Sequence, residues 1–215
     1  MDLLIAEELL LLAHTPKGKP LVNLELLDWT LSAGVLADLM LRGRIQLRDG
    51  RIDVTAPAPA PTGDAELDPT LDRLSMREQA PLFEDWWPAM YTPERRARLL
   101  ARLAERGAIT RETRTYLKLF KEEVYPEVDP APRAALHRRV LAALEAGGEP
   151  DPRTLALVSL AHAAGLIAKA LPRADRRRAA EVAGRDRLGG LVAAAFKQAA
   201  GESVGRMVAK GGLAD

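Results

Sequence analysis

Leucine dominates the opening of the chain, MDLLIAEELLLLA, and after Asp2 only Glu7 and Glu8 interrupt the apolar run. The pattern predicts a helix that is apolar over most of its surface and mostly buried, ended by the turn-rich HTPKGKP. From Asn23 to about Arg42 the residues Leu24, Leu27, Leu31, Val35, Leu36 and Leu39 recur at three- and four-residue steps. That spacing predicts a second helix with a broad apolar stripe, and Gly43 supplies a left-handed residue to close it. The period then changes to two: Ile45, Leu47, Ile52 and Val54 alternate around Asp49-Gly50, which predicts a tight hairpin. APAPAP, residues 56–61, reads as a stiff extended connector, because proline fixes its own dihedral and restrains its predecessor. A helix over about 65–77 follows, capped by Asp64 or Thr62.

Helical periodicity returns beyond Trp86, Trp87 and Pro93. Leu99, Leu100 and Leu103 define an inward face; Arg95, Arg96, Arg98, Arg102 and Arg106 crowd the remainder, and Gly107 closes the helix. Tyr116, Leu117, Leu119, Phe120, Val124 and Tyr125 then give a run with strand character, either a second hairpin or a loop. Helices resume over about 131–146, 152–170 and from Arg173 to the C-terminal region. In the last of these, LGGLVAAA, residues 188–195, reads as a surface for close helix packing. The expected fold is mainly α: a single-domain helical bundle over 1–215 with one or two short hairpins, and with residues 201–215 flexible.

Composition narrows the functions available. The chain of 215 residues is long enough for one compact domain or two small ones. Its net charge is +1, so attraction to DNA or to an acidic bilayer must come from a local patch. Cysteine is absent, which removes thiolate nucleophiles and cysteine zinc sites and suits a reducing cytoplasmic setting. The N-terminal helix has Asp2 where a secretory signal needs a basic region, and no apolar run reaches the length of a membrane span. The high content of Ala, Leu, Arg, Gly and Pro suits a GC-rich bacterial gene.

Candidate chemistry is sparse. Of three histidines, His14 falls in a turn, His137 on an exposed face beside Arg138 and Arg139, and His162 inside an apolar helix as a core residue. None has the spacing of a metal ligand, and the chain carries no GxGxxG and no P-loop. Glu7-Glu8 and Glu122-Glu123 are adjacent pairs and so point to different parts of a surface. These residues argue for no enzyme, no metal and no cofactor. A nucleic-acid reading treats the 45–54 hairpin as the wing of a winged helix, with Arg42, Arg44, Arg48 and Arg51 on phosphates. Against it stand a leucine-dominated preceding helix and a nearly neutral chain. A lipid reading uses the arginine helix beside Trp86, Trp87 and Tyr91. A third is a protein-interaction scaffold with Trp86, Trp87 and the Tyr116 to Tyr125 segment as contact surface.

Five segments together carry a family likeness. LLIAEELLLLA, DLMLRGRIQL, APTGDAELD, RLAERGAIT and LALVSLAHAAGLI stand in the order and at separations similar to the signature segments of the Golgi phosphoprotein 3 family. The likeness extends to VAAAFKQ, residues 192–198, and is to a bacterial-type member. It implies a central helical bundle ringed by amphipathic helices and no catalytic activity. It also implies a cytoplasmic peripheral membrane adaptor for phosphatidylinositol 4-phosphate or another anionic phospholipid, with protein clients and a homo-oligomer among its possible partners. The family's projecting hairpin corresponds to about 115–126, giving Tyr116, Leu117, Leu119 and Phe120 as membrane-contacting residues. Counted without gaps, the family's pocket positions fall on Asn23, Ser32, Pro93 and Arg96, so one of four keeps its residue type. A shift of one residue offers Arg95 and Arg98 as the basic pair, and Trp29 as a substitute for the missing Trp. The expected headgroup contacts are Arg96, Arg95 and Arg98. In such a fold LRGR ends a buried helix and the hairpin packs at its edge, a structural task that leaves Arg42 and Arg44 available to line a phosphate site.

Overall fold

The computed structural model describes residues 2–55, 60–116, 120–145 and 147–211. In chain order these form α1 (Ile5–Ala13), α2 (Leu24–Leu41), β1 (Ile45–Arg48), β2 (Arg51–Val54), α3 (Asp68–Ser75) and a single turn α4 (Phe83–Trp86). A 3-10 turn (Trp87–Met90) continues α4 and leads to α5 (Glu94–Glu105), β3 (Glu112–Tyr116) and β4 (Phe120–Val124). The rest is helical: α6 (Ala131–Leu144), α7 (Pro152–Ala163), α8 (Leu166–Ala170), α9 (Arg176–Ala183) and α10 (Arg187–Gly211). The fold is mainly helical, with two separate antiparallel hairpins, as the hydrophobic periods predict.

α1 is the axis of the bundle. All nine of its residues are buried, and it packs against α2, α5, α6, α7 and α8. A helix that is apolar all round can only be stable in such a place. Burial also strips water from its ends, whose amides and carbonyls must find partners in the protein. The Ile5 amide donates to Asp38 Oδ2 of α2 at 2.7 Å, and the Leu4 amide donates to Glu7 Oε2 at 2.7 Å. At the other end the guanidinium of Arg133, from α6, donates to the carbonyls of Leu11 and His14 and to Glu127.

α2 is held at its start by Asn23, whose side chain accepts from the amides of Glu25 and Leu26 at 2.8 and 3.4 Å. Leu27, Leu31, Val35, Leu36 and Leu39 enter the core as predicted, whereas Leu24, the first residue of the helix, is exposed. The first hairpin pairs Ile45 with Val54 and Leu47 with Ile52. Asp49 (φ 47°) and Gly50 (φ 76°) turn its tip, the left-handed pair that a two-residue connection requires. Its far edge is covered: the Ile52 amide donates to Pro81 O, the Phe83 amide to Gly50 O, and Arg51 to Ala80 O. The second hairpin also forms, with Glu112 opposite Val124 and Tyr116 opposite Phe120.

Several predicted bounds change, each for a local reason. The expected helix over 65–77 begins only at Asp68, because Asp64 turns the chain first: its carbonyl accepts from Leu67 and Asp68, and its Oδ1 from Glu66. Thr62 instead binds the Asp68 carboxylate. The expected helix over 152–170 breaks into α7 and α8 at Gly165, whose φ of 68° lies outside the right-handed helix. The C-terminal helix from Arg173 divides into α9 and α10 around Gly184 to Asp186. His162 is half-buried at the end of α7 rather than a core residue, His137 is half-buried rather than exposed, and His14 is buried as the C-cap of α1. The small-residue surface at 188–195 packs as expected: a Cβ on Gly189 would lie 2.4 Å from Ser159 Cβ of α7.

Candidate functional site: the arginine helix and its cleft

α5 forms where predicted. Leu99, Leu100 and Leu103 point into the core, and Arg95 turns inward with them instead of joining the outer row. The burial is supported by two hydroxyl acceptors and a nearby carboxylate. Arg95 Nη1 donates to Ser32 Oγ at 2.6 Å, Nη2 lies 3.3 Å from Thr70 Oγ1, and the Glu66 carboxylate is 3.6 Å away. Ser32 Oγ lies 2.9 Å from the Met90 carbonyl, to which it donates. Loss of hydration pushes the Arg95 guanidinium below its ordinary value, with Glu66 opposing.

The other arginines of α5 meet carboxylates of their own. Arg98 forks onto Glu66, with Nη2 3.0 Å from Oε2. Arg102 forks onto Asp64 at 3.0 and 2.9 Å and also lies 3.1 Å from Glu7. Arg106 reaches Glu7 at 3.1 Å and the Asp2 carbonyl at 3.0 Å. Burial raises the Asp64 carboxyl, but the Arg102 fork and the Glu66 amide outweigh it and hold the group below its usual value. At fully buried Glu7 the balance runs the other way: desolvation raises it more than the Leu4 amide, Arg102 and Arg106 lower it. Glu8 turns away from Glu7, as adjacent helical positions must, and meets Arg139 at 2.7 Å and Arg153 at 3.4 Å.

Arg96 differs from the rest. Its side chain is 22% exposed, and among the described residues the one carboxylate it pairs with is Asp28 of α2, at 3.5 Å from Nε to Oδ1. That separation exceeds a good charge-assisted hydrogen bond. Neither Asp28 Oδ1 nor Arg96 Nη1 has a hydrogen-bond partner. Arg96 lines a cleft of about 370 Å³ together with His14, Gly18, Leu24, Pro93 and Tyr125, and with Glu122 and Glu123 of β4. Glu123 is neutralised by Arg111 and accepts from Tyr125 Oη at 3.0 Å. The base of the second hairpin is pressed onto this cleft: a Cβ on Gly18 (φ 78°) would fall 2.3 Å from the Tyr125 carbonyl carbon.

The remaining sequence-derived candidates fall as follows. Arg95, Arg96 and Arg98 share one helix, but they differ in exposure, the side chain of Arg98 being 50% exposed and residue Arg95 6%. Arg42 is exposed and Arg44 half-buried at the far end of α2. Fourteen residues separate Arg42 from Asp28 along that helix, about 21 Å at the helical rise, so Arg42 and Arg96 cannot share a phosphate. Tyr116 and Phe120 pair at the outer end of the second hairpin, and Leu117 and Leu119 lie outside the described residues. Trp86 is buried, and Trp87, also buried, shows only an edge in the groove that Trp29 lines. Trp29 stacks on Trp87 at 4.9 Å and lines a separate groove with Glu25, Glu84, Asp85 and Phe196, away from Arg96. The three departures from the family pocket all have structural work: Asn23 caps α2, Ser32 receives Arg95, and Pro93 begins α5.

The residues that the sequence did not single out are the acids. Asp28, Asp64 and Glu66 decide which arginines are available, and the one local signal was Asp28, a carboxylate set beside Leu27 in the apolar stripe of α2. Among the described residues no three His, Asp or Glu side chains form a group able to hold a metal ion, and no helix is long and apolar enough to cross a membrane. The family model described as Golgi phosphoprotein 3 (GPP34) matches residues 5–208.

Proposed function

Because the chain belongs to the Golgi phosphoprotein 3 family, whose members are non-catalytic adaptors, we propose that it is a peripheral membrane adaptor that contacts anionic phospholipid through Arg96. The observation that carries this reading is the placement of Arg96: it lines a cleft and no carboxylate forks onto it, whereas the guanidinium groups of Arg98 and Arg102 are closed by forked carboxylates. Arg98 flanks the contact at the rim, and Arg95 acts from beneath by fixing α5 to α2 and α3 through Ser32 and Thr70. The second hairpin packs against the same cleft, so its outer end is suited to reach the bilayer alongside Arg96. The phosphate of phosphatidylinositol 4-phosphate or of another acidic lipid is the ligand chemistry a guanidinium selects. The protein works at the cytoplasmic face of a membrane and holds protein clients there.

The winged-helix alternative is not favoured: residues 80–83 cover the edge of the first hairpin, and Arg51 is spent on the Ala80 carbonyl. Co-sedimentation with phosphatidylcholine vesicles, with and without phosphatidylglycerol, tests the lipid reading. Binding should require the anionic lipid and weaken with salt. Arg96→Ala should reduce it about fivefold, the effect of about 1 kcal/mol per basic residue at an anionic surface. Salt-independent binding, or full binding by Arg96→Ala, overturns the assignment.

A further inference from the structure

Asp28 occupies an unusual position for a charged residue. It sits on the buried side of α2 at 3% exposure, and the group opposite its Oδ1 is the guanidinium of the arginine that lines the cleft. The pair is looser than those of the two arginines that follow on α5: Arg98 and Arg102 each form two hydrogen bonds to a carboxylate, while Arg96 and Asp28 form none. An arginine that lines a cleft and meets its resident anion without a hydrogen bond is a site whose ligand position is partly filled from within.

We infer that Asp28 is an internal competitor for Arg96: its carboxylate holds the guanidinium against α2, and a lipid phosphate must displace that carboxylate to bind. The inference rests on the lipid reading of Arg96 and adds its control. Displacement is costly while Asp28 is charged, since the carboxylate would be left buried without a counter-ion. It is easy once Asp28 holds a proton. Anionic lipid therefore competes with a proton-sensitive group, and binding strengthens in acid.

The surroundings place that titration in an accessible range. Burial pushes the Asp28 carboxyl from 3.8 up to about 6; Arg96 of α5 opposes, and Glu94 of α5 and Glu25 of α2 add to the rise. Tyr91, ahead of α5, is the other titratable group that senses Asp28. His14, across the cleft, is held below its ordinary 6.5 by burial, with Arg133 and Arg96 acting in the same sense and the Leu10 carbonyl opposing. Above about 6 Asp28 is ionised and engages Arg96; below it the carboxyl is neutral and Arg96 is free for another anion.

The test is co-sedimentation of the full chain with phosphatidylcholine vesicles containing phosphatidylglycerol, whose phosphodiester keeps one charge throughout the range. Wild type should bind several-fold more tightly at about pH 5.5 than at about pH 7.5. The ceiling is about twenty-five-fold, the ratio of protonated Asp28 at the two values. Asp28→Asn should bind at the higher pH as tightly as wild type does at the lower, with a flat profile between. Its thermal unfolding reports whether the fold is kept, and the wild-type profile needs no variant. A flat wild-type profile, or an Asp28→Asn profile that rises in acid as wild type does, overturns the competitor while leaving the lipid contact standing. No salt-sensitive binding by either protein at either pH overturns both.

Discussion

Replacing Asp38 by asparagine isolates the cost of burying a charge at the centre of this fold. Asp38 is 2% exposed on α2; its Oδ2 accepts the Ile5 amide at 2.7 Å, and its Oδ1 lies 3.2 Å from Arg153 Nη1. Burial pushes its carboxyl from 3.8 up to about 6, and the Ile5 amide and Arg153 recover only part of that rise. Such a group binds its proton more tightly in the fold than in the unfolded chain. Below 3.8 it is protonated in both states, and above about 6 it is ionised in both. In between the folded state holds the extra proton, so the contribution to stability falls as pH rises. The full difference is about 3 kcal/mol, absent in acid and complete above the folded value. Asparagine titrates in neither state and still offers a carbonyl oxygen to Ile5. Urea unfolding followed by circular dichroism should show the wild-type stability, relative to Asp38→Asn, falling by about 2 kcal/mol between about pH 4 and about pH 7. Asp28 acts in the same sense but is common to both proteins. Parallel curves, or a gap opening in the opposite sense, refute the idea that desolvation outweighs the partners of Asp38.

Three further substitutions probe how α1 and α10 are seated. Gly189→Ala should destabilise by about 1–3 kcal/mol, since its Cβ would lie 2.4 Å from Ser159 Cβ and 3.3 Å from the Ser159 carbonyl carbon. Gly190→Ala, with nothing within 4 Å, should be neutral or stabilising by up to about 1 kcal/mol. Equal melting temperatures for the two variants would contradict the close approach of α10 to α7. Arg133→Met should cost about 3–5 kcal/mol in urea unfolding, because it strands Glu127 and two carbonyls at the buried end of α1. A loss under about 1 kcal/mol would mean that water satisfies those carbonyls.

The elements legible in the sequence were those whose cause is local. α1 and α2 follow from apolar spacing, and the first hairpin from alternation around Asp49-Gly50, where the left-handed geometry is intrinsic to the residues. Breaks in the C-terminal half were harder to see. A glycine inside a helical pattern costs only about 1 kcal/mol and is often carried through, so Gly165 gave no warning that α7 ends two residues before it. His162 belongs to the same difficulty: in one long helix it falls mid-core, and in a helix that stops at Ala163 it sits at a half-buried end.

The arginine row of α5 was invisible in a deeper sense. Its composition announced a basic surface, but the function of a guanidinium depends on what stands opposite it, and here the partners lie far away in the chain. Arg98 meets Glu66 across 32 residues, Arg102 meets Asp64 across 38, and Arg106 meets Glu7 across 99. The causal order runs from the core outward. An apolar helix that carries Glu7 and Glu8 into the interior brings two carboxylates that must be paired, and the buried pairs then draw arginines from α5, α6 and α7 toward the axis. The charge that looked available for a membrane is largely consumed in closing the bundle. What remains beside the second hairpin is one guanidinium with a loose counter-ion, which projects little long-range field. Membrane contact by this chain then depends on short-range fit at the cleft and on the hairpin beside it, so its salt slope should be that of about one released counter-ion rather than five.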